Sequence, residues 1–293
     1  MTAEIRPLRP DDDGLALWNR SVPLDPMTPA RFAEQTDADL ALVAVEAGHV
    51  VGLGVGALWP VAGDVRGSAR LLAVDPGRRR RGIGTALLDA LGDGLRQRGA
   101  TALRLGECAP VYLTPGVDLR LESGLAFAEA TGFHAIGESV DLGVDLAQDW
   151  ATDADEARLQ AEGVAVRRVS GDADRTALGR LLDAEWPAWR PEVALALAHD
   201  PPAVHVALRD GDSLGFAAHS ASHVGLAWFG PMGTAPAARG LGIGAVLLRR
   251  CLADLRAAGR DRATIAWAAS LPFYERAVGA TVDRRYRRFE RGL

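Results

Sequence analysis

The sequence predicts a mixed α/β fold, with helices on both faces of mixed sheets, arranged as two tandem domains. The length of 293 residues suits two domains at roughly 100–200 residues each. The motif Arg-x-x-Gly-Ile-Gly occurs twice, beginning at Arg79 and at Arg239. Each copy follows several strand-like runs and opens an apolar helix, which indicates a duplicated domain rather than a short structural repeat.

The first half has apolar, strand-like runs before its glycine motif and a helix after it. The runs cover residues 40–45, 49–58 and 69–74. Residues 85–97 carry leucines at helical spacing, and Gly99 is placed to end this helix. Another strand is predicted at 102–105.

The second half repeats this order. Strands are predicted at 164–169, 204–208, 214–219 and 226–232, with a helix at 174–186 after the first of them. The second motif opens a helix at 245–257, followed by a strand at 263–267, a short helix at 272–278 and a last strand at 281–289. Residues 148–162 are polar, acidic and rich in alanine, so we predict a linker, with possible helical character, between domains at 1–147 and 163–293.

The composition limits the partners of the chain. Apolar residues make up 48% of it and charged residues 24%, which provides enough apolar sequence for two cores. The net charge is −5, whereas a domain that binds a nucleic acid duplex normally carries a basic excess. No run of about 18 apolar residues occurs and no signal peptide core is evident, so we expect a cytoplasmic protein without a membrane span.

Two residue types exclude further chemistry. All 33 basic residues are arginine, and a chain without lysine has neither a Walker A phosphate loop nor a Schiff-base lysine. The two cysteines, Cys108 and Cys251, are too few for a disulfide framework or an all-cysteine zinc site. We therefore expect reduced thiols and no bound metal ion.

The glycine motifs have the chemistry of an anion site. Glycines let the backbone approach a ligand closely, and the helix that follows offers unpaired N–H groups and the positive end of its dipole. Together these features suit a pyrophosphate. The alternatives are a plain strand-to-helix turn and a Rossmann loop. The Rossmann fingerprint needs a small third residue, but Leu87 and Leu247 stand there, and several strands precede each loop.

At these motifs both halves resemble GNAT N-acetyltransferases, whose hallmark is Arg/Gln-x-x-Gly-x-Gly/Ala between the fourth strand and the third helix. The resemblance covers nearly the whole chain, as two copies. It implies that acetyl-CoA is the acetyl donor, that the loop amides hold its pyrophosphate and that the preceding strand pairs with its pantetheine. The residues placed in these roles are Ala73, Val74, Arg79, Arg80, Arg81, Gly82, Ile83, Gly84 and Thr85 in the first half, and Met232, Gly233, Thr234, Arg239, Gly240, Leu241, Gly242, Ile243, Gly244 and Ala245 in the second.

The two halves differ at a position that the family often uses for catalysis. Phe273-Tyr274-Glu275 and the residues that follow resemble the family's Phe-Tyr-Glu-Lys-x-Gly-Phe ending, in which the tyrosine protonates the departing thiolate. A tyrosine that simply packs at a helix start is the alternative. The first half has Ala128 at this position, or Phe127 if one extra residue is allowed for, and neither donates a proton. Tyr112, in a loop at 112–118, is a possible substitute.

A base for the amine is less well defined by the sequence. Glu185 lies beside Trp186 in the expected acceptor-side helix, and His219 and His223 lie near the third and fourth strands. A hydrated amine also needs no dedicated base.

The sequence thus predicts acetyl transfer to a primary amine of a small molecule, with Tyr274 as general acid and a first half that binds coenzyme A without catalysis. The second half is also similar to bacterial glucosamine and glucosaminide acetyltransferases, which suggests an amino sugar. The alternatives are a non-catalytic acyl-CoA sensor or scaffold, and a protein or peptide N-acetyltransferase. We expect a monomer or a homodimer.

Overall fold

In the computed structural model, residues 3–61, 63–223 and 225–293 are described. The chain divides into two units, an N-terminal unit of Met1–Ser139 with Arg285–Leu293 and a C-terminal unit of Val140–Arg284. Each unit is a mixed sheet with helices on its faces, which confirms the predicted fold class.

The N-terminal unit contains a six-stranded path in the order β1-β2-β3-β4-β5-β13. Strands β4 and β5 are parallel, whereas the pairs β1–β2, β2–β3, β3–β4, β5–β13 and β6–β13 are antiparallel. Its elements, in chain order, are β1 (Glu4–Pro7), α1 (Gly14–Ser21), α2 (Pro29–Thr36), β2 (Leu40–Glu46), β3 (His49–Val61), β4 (Asp64–Val74), α3 (Ile83–Arg96), β5 (Ala102–Leu105), β6 (Val117–Asp118), α4 (Glu122–Ala130) and the first half of β7 (His134–Asp145).

The C-terminal unit repeats this topology in the order β8-β9-β10-β11-β12-β7. Strands β11 and β12 are its parallel pair. Its elements, after the second half of β7, are α5 (Asp153–Ala161), β8 (Ala165–Arg168), α6 (Gly171–Glu185), α7 (Arg190–Leu197), β9 (Val204–Arg209), β10 (Asp212–His219), β11 (Trp228–Thr234), α8 (Ile243–Ala257), β12 (Arg262–Ile265), α9 (Leu271–Val278) and the start of β13 (Thr281–Gly292).

The outer strand beside each parallel pair comes from an unexpected part of the chain. In the N-terminal unit β5 pairs with β13, from the end of the chain, and in the C-terminal unit β12 pairs with β7, from its middle. The sequence-based division at 1–147 and 163–293 assumes instead that each half supplies all of its own strands. The predicted linker contains α5, whose Leu159 is fully buried in the core of the C-terminal unit.

Helix α3 shows why the glycine motif stands where it does. Its apolar stripe of Leu87, Leu91 and Leu95 is fully buried against the sheet. Gly52 and Gly54 of β3 face this stripe, and a Cβ at Gly52 would lie only 2.7 Å from Leu87. The close approach buries each leucine, at about 2 kcal/mol per side chain, and fixes the helix start next to the end of β4.

Candidate functional site

The two glycine loops have the same backbone conformation. Gly82 is the N-cap of α3 with φ +82°, and Gly242 is the N-cap of α8 with φ +83°. Residues with a side chain rarely adopt this left-handed conformation. Each loop therefore needs glycine at this position, directly before the N–H groups of a helix start that have no partner within the helix.

The loop of the N-terminal unit is tied to its surroundings by its arginines. Arg79 donates from Nε to the carbonyl of Val74 at 3.2 Å and from Nη2 to the carbonyl of Ser21 at 2.9 Å. Asp75 accepts from the N–H of Gly77 at 2.9 Å and pairs with Arg20. The arginine of the motif thus fixes the loop between β4 and the end of α1.

A cavity of about 720 Å³ lies along this loop in the N-terminal unit. Its lining joins three elements that the resemblance associates with coenzyme A. These are the end of β4 (Leu72, Ala73, Val74), the loop and first turn of α3 (Arg78, Arg79, Arg80, Gly82, Ile83, Gly84, Thr85) and helix α4 (Ser123, Gly124, Ala126, Phe127, Ala130). This combination of apolar walls and N–H donors suits a ligand with an apolar part and a phosphate group.

The strand that enters each loop carries an irregularity and then leaves its parallel neighbour. In β4 the pairing with β3 shifts between Leu71 and Ala69, which makes Arg70 the extra residue, and β4 pairs with β5 only up to Ala69. In β11 the corresponding shift falls at Gly230 and Pro231, and pairing with β12 ends at Phe229. Both parallel pairs therefore open toward the glycine loop, which frees backbone groups of β4 and β11.

The loop of the C-terminal unit differs in what lies on it. Arg158 of α5 donates to the carbonyl of Leu241 at 2.8 Å, and its Nη2 is 2.8 Å from the point where Gly242 would carry a Cβ. Ion pairs of Asp155 with Arg249, at 3.0 Å, and of Glu156 with Arg250 hold α5 against α8. A guanidinium group therefore stands at the mouth of this second loop.

Two phenylalanines show which residues correspond around the catalytic position. A Cβ at Gly84 would lie 3.3 Å from Phe127, and a Cβ at Gly244 would lie 3.4 Å from Phe273. The two rings therefore hold equivalent places. It follows that Ala128, which is fully buried, corresponds to Tyr274.

Tyr274 lies among aromatic rings. Its ring meets those of Phe273 and Phe229 edge to face, with centroids 5.0 and 6.4 Å apart. Burial raises the pKa of Tyr274 to about 12. Because this pKa is far above neutral, the phenol keeps its proton and can donate it.

The sequence as a whole matches one protein family. The family model described as acetyltransferase (GNAT) family matches residues 11–112 and again residues 172–280. The chain belongs to this family. It is an acetyltransferase with two GNAT repeats, and the donor that the family uses is acetyl-CoA. No curated protein matches the sequence at a significant level.

Solved structures of GNAT proteins share the whole fold. The glucosamine N-acetyltransferase region of a fungal multi-domain GH3 β-N-acetylglucosaminidase has a TM-score of 0.88 at 23% identity, over 99% of this chain and 38% of that one. A GCN5-related N-acetyltransferase from Sphaerobacter thermophilus has a TM-score of 0.73 at 17% identity, over 99% of this chain and 95% of that one. A tandem GNAT protein from the clavulanic acid biosynthesis pathway has a TM-score of 0.68 at 20% identity, over 99% and 98%. This chain thus spans 38% of the fungal protein and nearly all of the other two.

The residues predicted as bases have different surroundings in this GNAT protein. Glu185 is the last residue of α6 and is exposed. His223 is buried and stacks on Trp228, with ring centroids 3.8 Å apart. His219 lies 3.2 Å from the Oδ2 atom of Asp254, which also accepts a 2.7 Å contact from His205.

Two tryptophans that follow Glu185 in the sequence, Trp186 and Trp189, lie against strand β11. Trp186 and Trp189 stack with centroids 5.3 Å apart, and both meet Phe216 edge to face. A Cβ at Gly233 would lie 2.6 Å from the ring of Trp186, so the ring rests on the backbone of β11. The group forms an aromatic wall on the α6 side of this strand.

The sequence does not identify Glu192, a buried titratable residue of this region. Glu192, in the first turn of α7, is 6% exposed, and burial raises its pKa to about 7. A glutamate after Pro191 is typical of a solvated helix start, and the spacing gives no sign that this one faces inward.

Among the described residues, no group of three or more His, Cys, Asp or Glu side chains could hold a metal ion. No helix in the described part of the chain is long and apolar enough to cross a membrane.

Proposed function

We propose that this protein transfers the acetyl group of acetyl-CoA to a primary amine of a small molecule. The observation that carries the proposal is the left-handed glycine loop at a helix start, which occurs in both units and, in the N-terminal unit, adjoins a cavity of about 720 Å³. The lining of this cavity, with apolar residues beside the N–H groups of the loop, suits a pantetheine arm that ends in a pyrophosphate. A left-handed glycine at the helix start gives the phosphates close access to backbone N–H groups.

The donor contacts follow from this geometry. In the N-terminal unit Gly82, Ile83, Gly84 and Thr85 offer the N–H groups, and Ala73 and Val74 lie along the pantetheine. In the C-terminal unit the corresponding residues are 232–234 on the strand and 239–245 in the loop. Arg80 and Arg81, both exposed beside the first loop, add positive charge for the phosphates.

The chemical step belongs to the C-terminal unit in this proposal. The neutral amine attacks the thioester carbonyl, a C–N bond forms and the C–S bond breaks, and the amine loses a proton to solvent or a base. Tyr274 gives its phenol proton to the thiolate as it leaves, and solvent restores that proton. The ordinary state of Tyr274 suits this role because its pKa of about 12 keeps it protonated at neutral pH.

An amino sugar is the acceptor class that we favour. The stacked pair Trp186 and Trp189 offers flat apolar faces beside β11, and such faces pack well against the apolar side of a sugar ring. The fungal protein with the same fold is described as a glucosamine N-acetyltransferase region. Both observations support this class over a peptide.

The test is thiol release by the whole chain with acetyl-CoA and a panel of amines that includes glucosamine. Tyr274→Phe is expected to lower kcat roughly 10²–10⁴-fold, with little change in acetyl-CoA affinity. Tyr286→Phe is the matched control. It removes the same hydroxyl group from a buried tyrosine of the N-terminal unit, where no chemical step is proposed, so its kcat should stay nearly unchanged. Turnover by Tyr274→Phe equal to that of the unaltered chain would show that Tyr274 is not the acid.

A non-catalytic acyl-CoA sensor is the second candidate. The observation that favours it is that the unit with the described cavity has Ala128 in place of a proton donor. Binding of acetyl-CoA without thiol release for any amine of the panel would support the sensor and contradict the enzyme proposal.

A further inference from the structure

We infer that Arg70, Gln35 and Ser68 of the N-terminal unit form a binding site for an anionic group, a carboxylate or a phosphate, of a small molecule. Because the proposed chemical step belongs to the C-terminal unit, this site in the N-terminal unit does not depend on the proposed function. It rests on three buried polar side chains that have unsatisfied hydrogen-bonding atoms.

Arg70 is a buried cation without a carboxylate partner in the described ranges 3–61, 63–223 and 225–293. It is 8% exposed. Its Nη1 donates to the carbonyls of Gln35 at 3.2 Å and Asp37 at 3.3 Å, and its Nε has no partner there. Burying a charge is costly unless an opposite charge accompanies it, so an unpaired guanidinium in this position points to an anion that the chain does not itself supply.

The neighbouring arginines on the same face of the sheet are paired. Arg104 contacts Glu107 at 3.1 Å and Glu290 at 2.8 Å, and Arg288 contacts Glu107 at 2.7 Å. Both carboxylates therefore already serve other cations. Among the described residues, Arg104 and Arg288 thus differ from Arg70 in having carboxylate partners.

Gln35 and Ser68 extend the site. Both are fully buried, and among the residues that the structure describes neither the amide nitrogen nor the oxygen of Gln35, nor the hydroxyl of Ser68, has a hydrogen-bond partner. Gln35 is the residue whose carbonyl Arg70 contacts, and Ser68 lies two positions before Arg70 on β4. Buried polar atoms are nearly always satisfied in native proteins, so unsatisfied atoms on a residue that Arg70 contacts and on its near neighbour in β4 indicate a polar ligand.

The position of the site relates it to the donor cavity. Arg70 is the extra residue at the irregularity where β4 leaves β5, and Leu72, two residues further on, lines the cavity. Leu113 of the segment between β5 and β6 packs with Leu17 and Trp18 of α1, so this segment lies on the same face as α2.

The chemistry of the three side chains selects the ligand class. The guanidinium and amide N–H groups and the hydroxyl can all donate, which matches the several acceptor oxygens of a carboxylate or phosphate. A polyamine would place a second cation beside Arg70. A neutral amine would leave Arg70 unpaired, so it is expected to bind less tightly than an anionic amine of the same size.

The experiment measures binding of matched amines to the whole chain by isothermal titration. Glucosamine 6-phosphate is compared with glucosamine for the phosphate, and serine with serinamide for the carboxylate. In at least one pair the anionic member is expected to bind roughly tenfold or more tightly than its neutral partner. Arg70→Met and Gln35→Leu are expected to reduce this ratio to about twofold or less. Arg98→Gln is the matched control, because Arg98 also donates to a carbonyl, at 2.8 Å, but is exposed, and its ratio should not change.

Thermal unfolding without ligand separates binding from folding. Gln35→Leu should unfold at the same or a higher temperature, because it replaces unsatisfied polar atoms by apolar ones of similar size. A lower unfolding temperature with an unchanged binding ratio would show that the polar atoms serve the fold through buried water, and would overturn the site. Equal binding of both members in both pairs would overturn it as well. Thiol release by the same chain with the same amines distinguishes this proposal from the proposed function. If thiol is released but anionic and neutral amines bind equally, only the anion site is contradicted. If anionic amines bind more tightly but no thiol is released, only the proposed function is contradicted.

Discussion

The buried side chain of Glu192 makes the stability of this protein depend on pH. Its pKa in the folded protein, about 7, lies above the ordinary value of a glutamate. The native state therefore holds this proton more tightly than the unfolded chain. The stabilising contribution is present at low pH and is lost as pH rises toward 7, because ionisation then favours the unfolded chain.

Glu192→Gln should therefore stabilise the protein most at alkaline pH. We expect the gain in free energy of unfolding to be on the order of 2 kcal/mol larger at pH 8 than at pH 5. Urea unfolding at the two pH values measures it, with Glu185→Gln as the exposed control, for which little change is expected. A gain that is the same at both pH values would show that charge is not the cause.

The residues of the site differ in how far the sequence could reveal them. Tyr274 and the glycines stand in local motifs, and these can be found without knowledge of the fold. From the sequence, either Ala128 or Phe127 could correspond to Tyr274. The structure decides for Ala128, because Phe127 packs on Gly84 as Phe273 packs on Gly244. Arg70 and Glu192 could not be found because burial without a partner is a property of tertiary packing.

Among the elements, the glycine loops were predictable because their conformation is local. The helices predicted at 85–97 and 245–257 exist, and each begins two residues earlier, at Ile83 and Ile243. Their left-handed N-caps follow directly from the Gly-x-Gly pattern. Sequence gave no indication of the contact between α5 and the second loop, since it joins residues more than 80 positions apart.

The first loop can be tested by adding one methyl group. Gly82→Ala meets no atom within 4 Å, so its cost is backbone strain alone, about 1–2 kcal/mol. Gly99→Ala, at the other end of α3, has the same strain at φ +97° and equally open surroundings. Both variants should unfold at a similarly lower temperature, but only Gly82→Ala should weaken coenzyme A binding in titration. Equal weakening by both would mean that the effect is one of stability.

Helix α5 gives a prediction in which two effects oppose each other. Arg158 stands where phosphates would approach the second loop. Its side chain is 45% exposed, pairs with Glu162 at 3.0 Å and donates to the carbonyl of Leu241 at 2.8 Å. Releasing the carbonyl bond costs about 1 kcal/mol and the exposed ion pair about 0.5 kcal/mol, whereas a charge-assisted bond to a phosphate contributes about 1.5–3 kcal/mol. We therefore expect Arg158 to turn toward the phosphate and to favour binding.

Arg158→Ala should accordingly weaken coenzyme A binding at the second loop by roughly three- to tenfold. Titration of the whole chain, which gives the number of sites as well as their affinities, measures this. Arg256→Ala is the control, because Arg256 is an exposed arginine of the same unit that also donates to a carbonyl, at 3.1 Å. Tighter binding by Arg158→Ala would instead identify Arg158 as an obstruction of this loop.

At the scale of the whole molecule, the tandem mixed α/β fold could be predicted but the origin of the outer strands could not. Duplication is visible in the repeated motif and in the repeated order of strands and helices. Strands β7 and β13 stand at equivalent places in the two halves, because each follows a short helix. The alternation of apolar residues in a strand indicates which of its faces is buried, but it does not indicate which strand it pairs with. Each half of the sequence would therefore be expected to complete its own sheet.

This exchange of strands predicts how pieces of the chain behave. A piece of residues 1–147 lacks Arg285–Leu293, and with it the fully buried Tyr286 and Phe289 and the partner of β5. Burial of these two rings contributes about 5 kcal/mol, which is comparable to the whole stability of a domain. The piece should fail to unfold cooperatively, whereas residues 1–139 joined by a flexible linker to residues 281–293 should do so. Circular dichroism during heating compares the two, and a sharp transition in the piece of residues 1–147 would show that β13 is dispensable for the N-terminal unit.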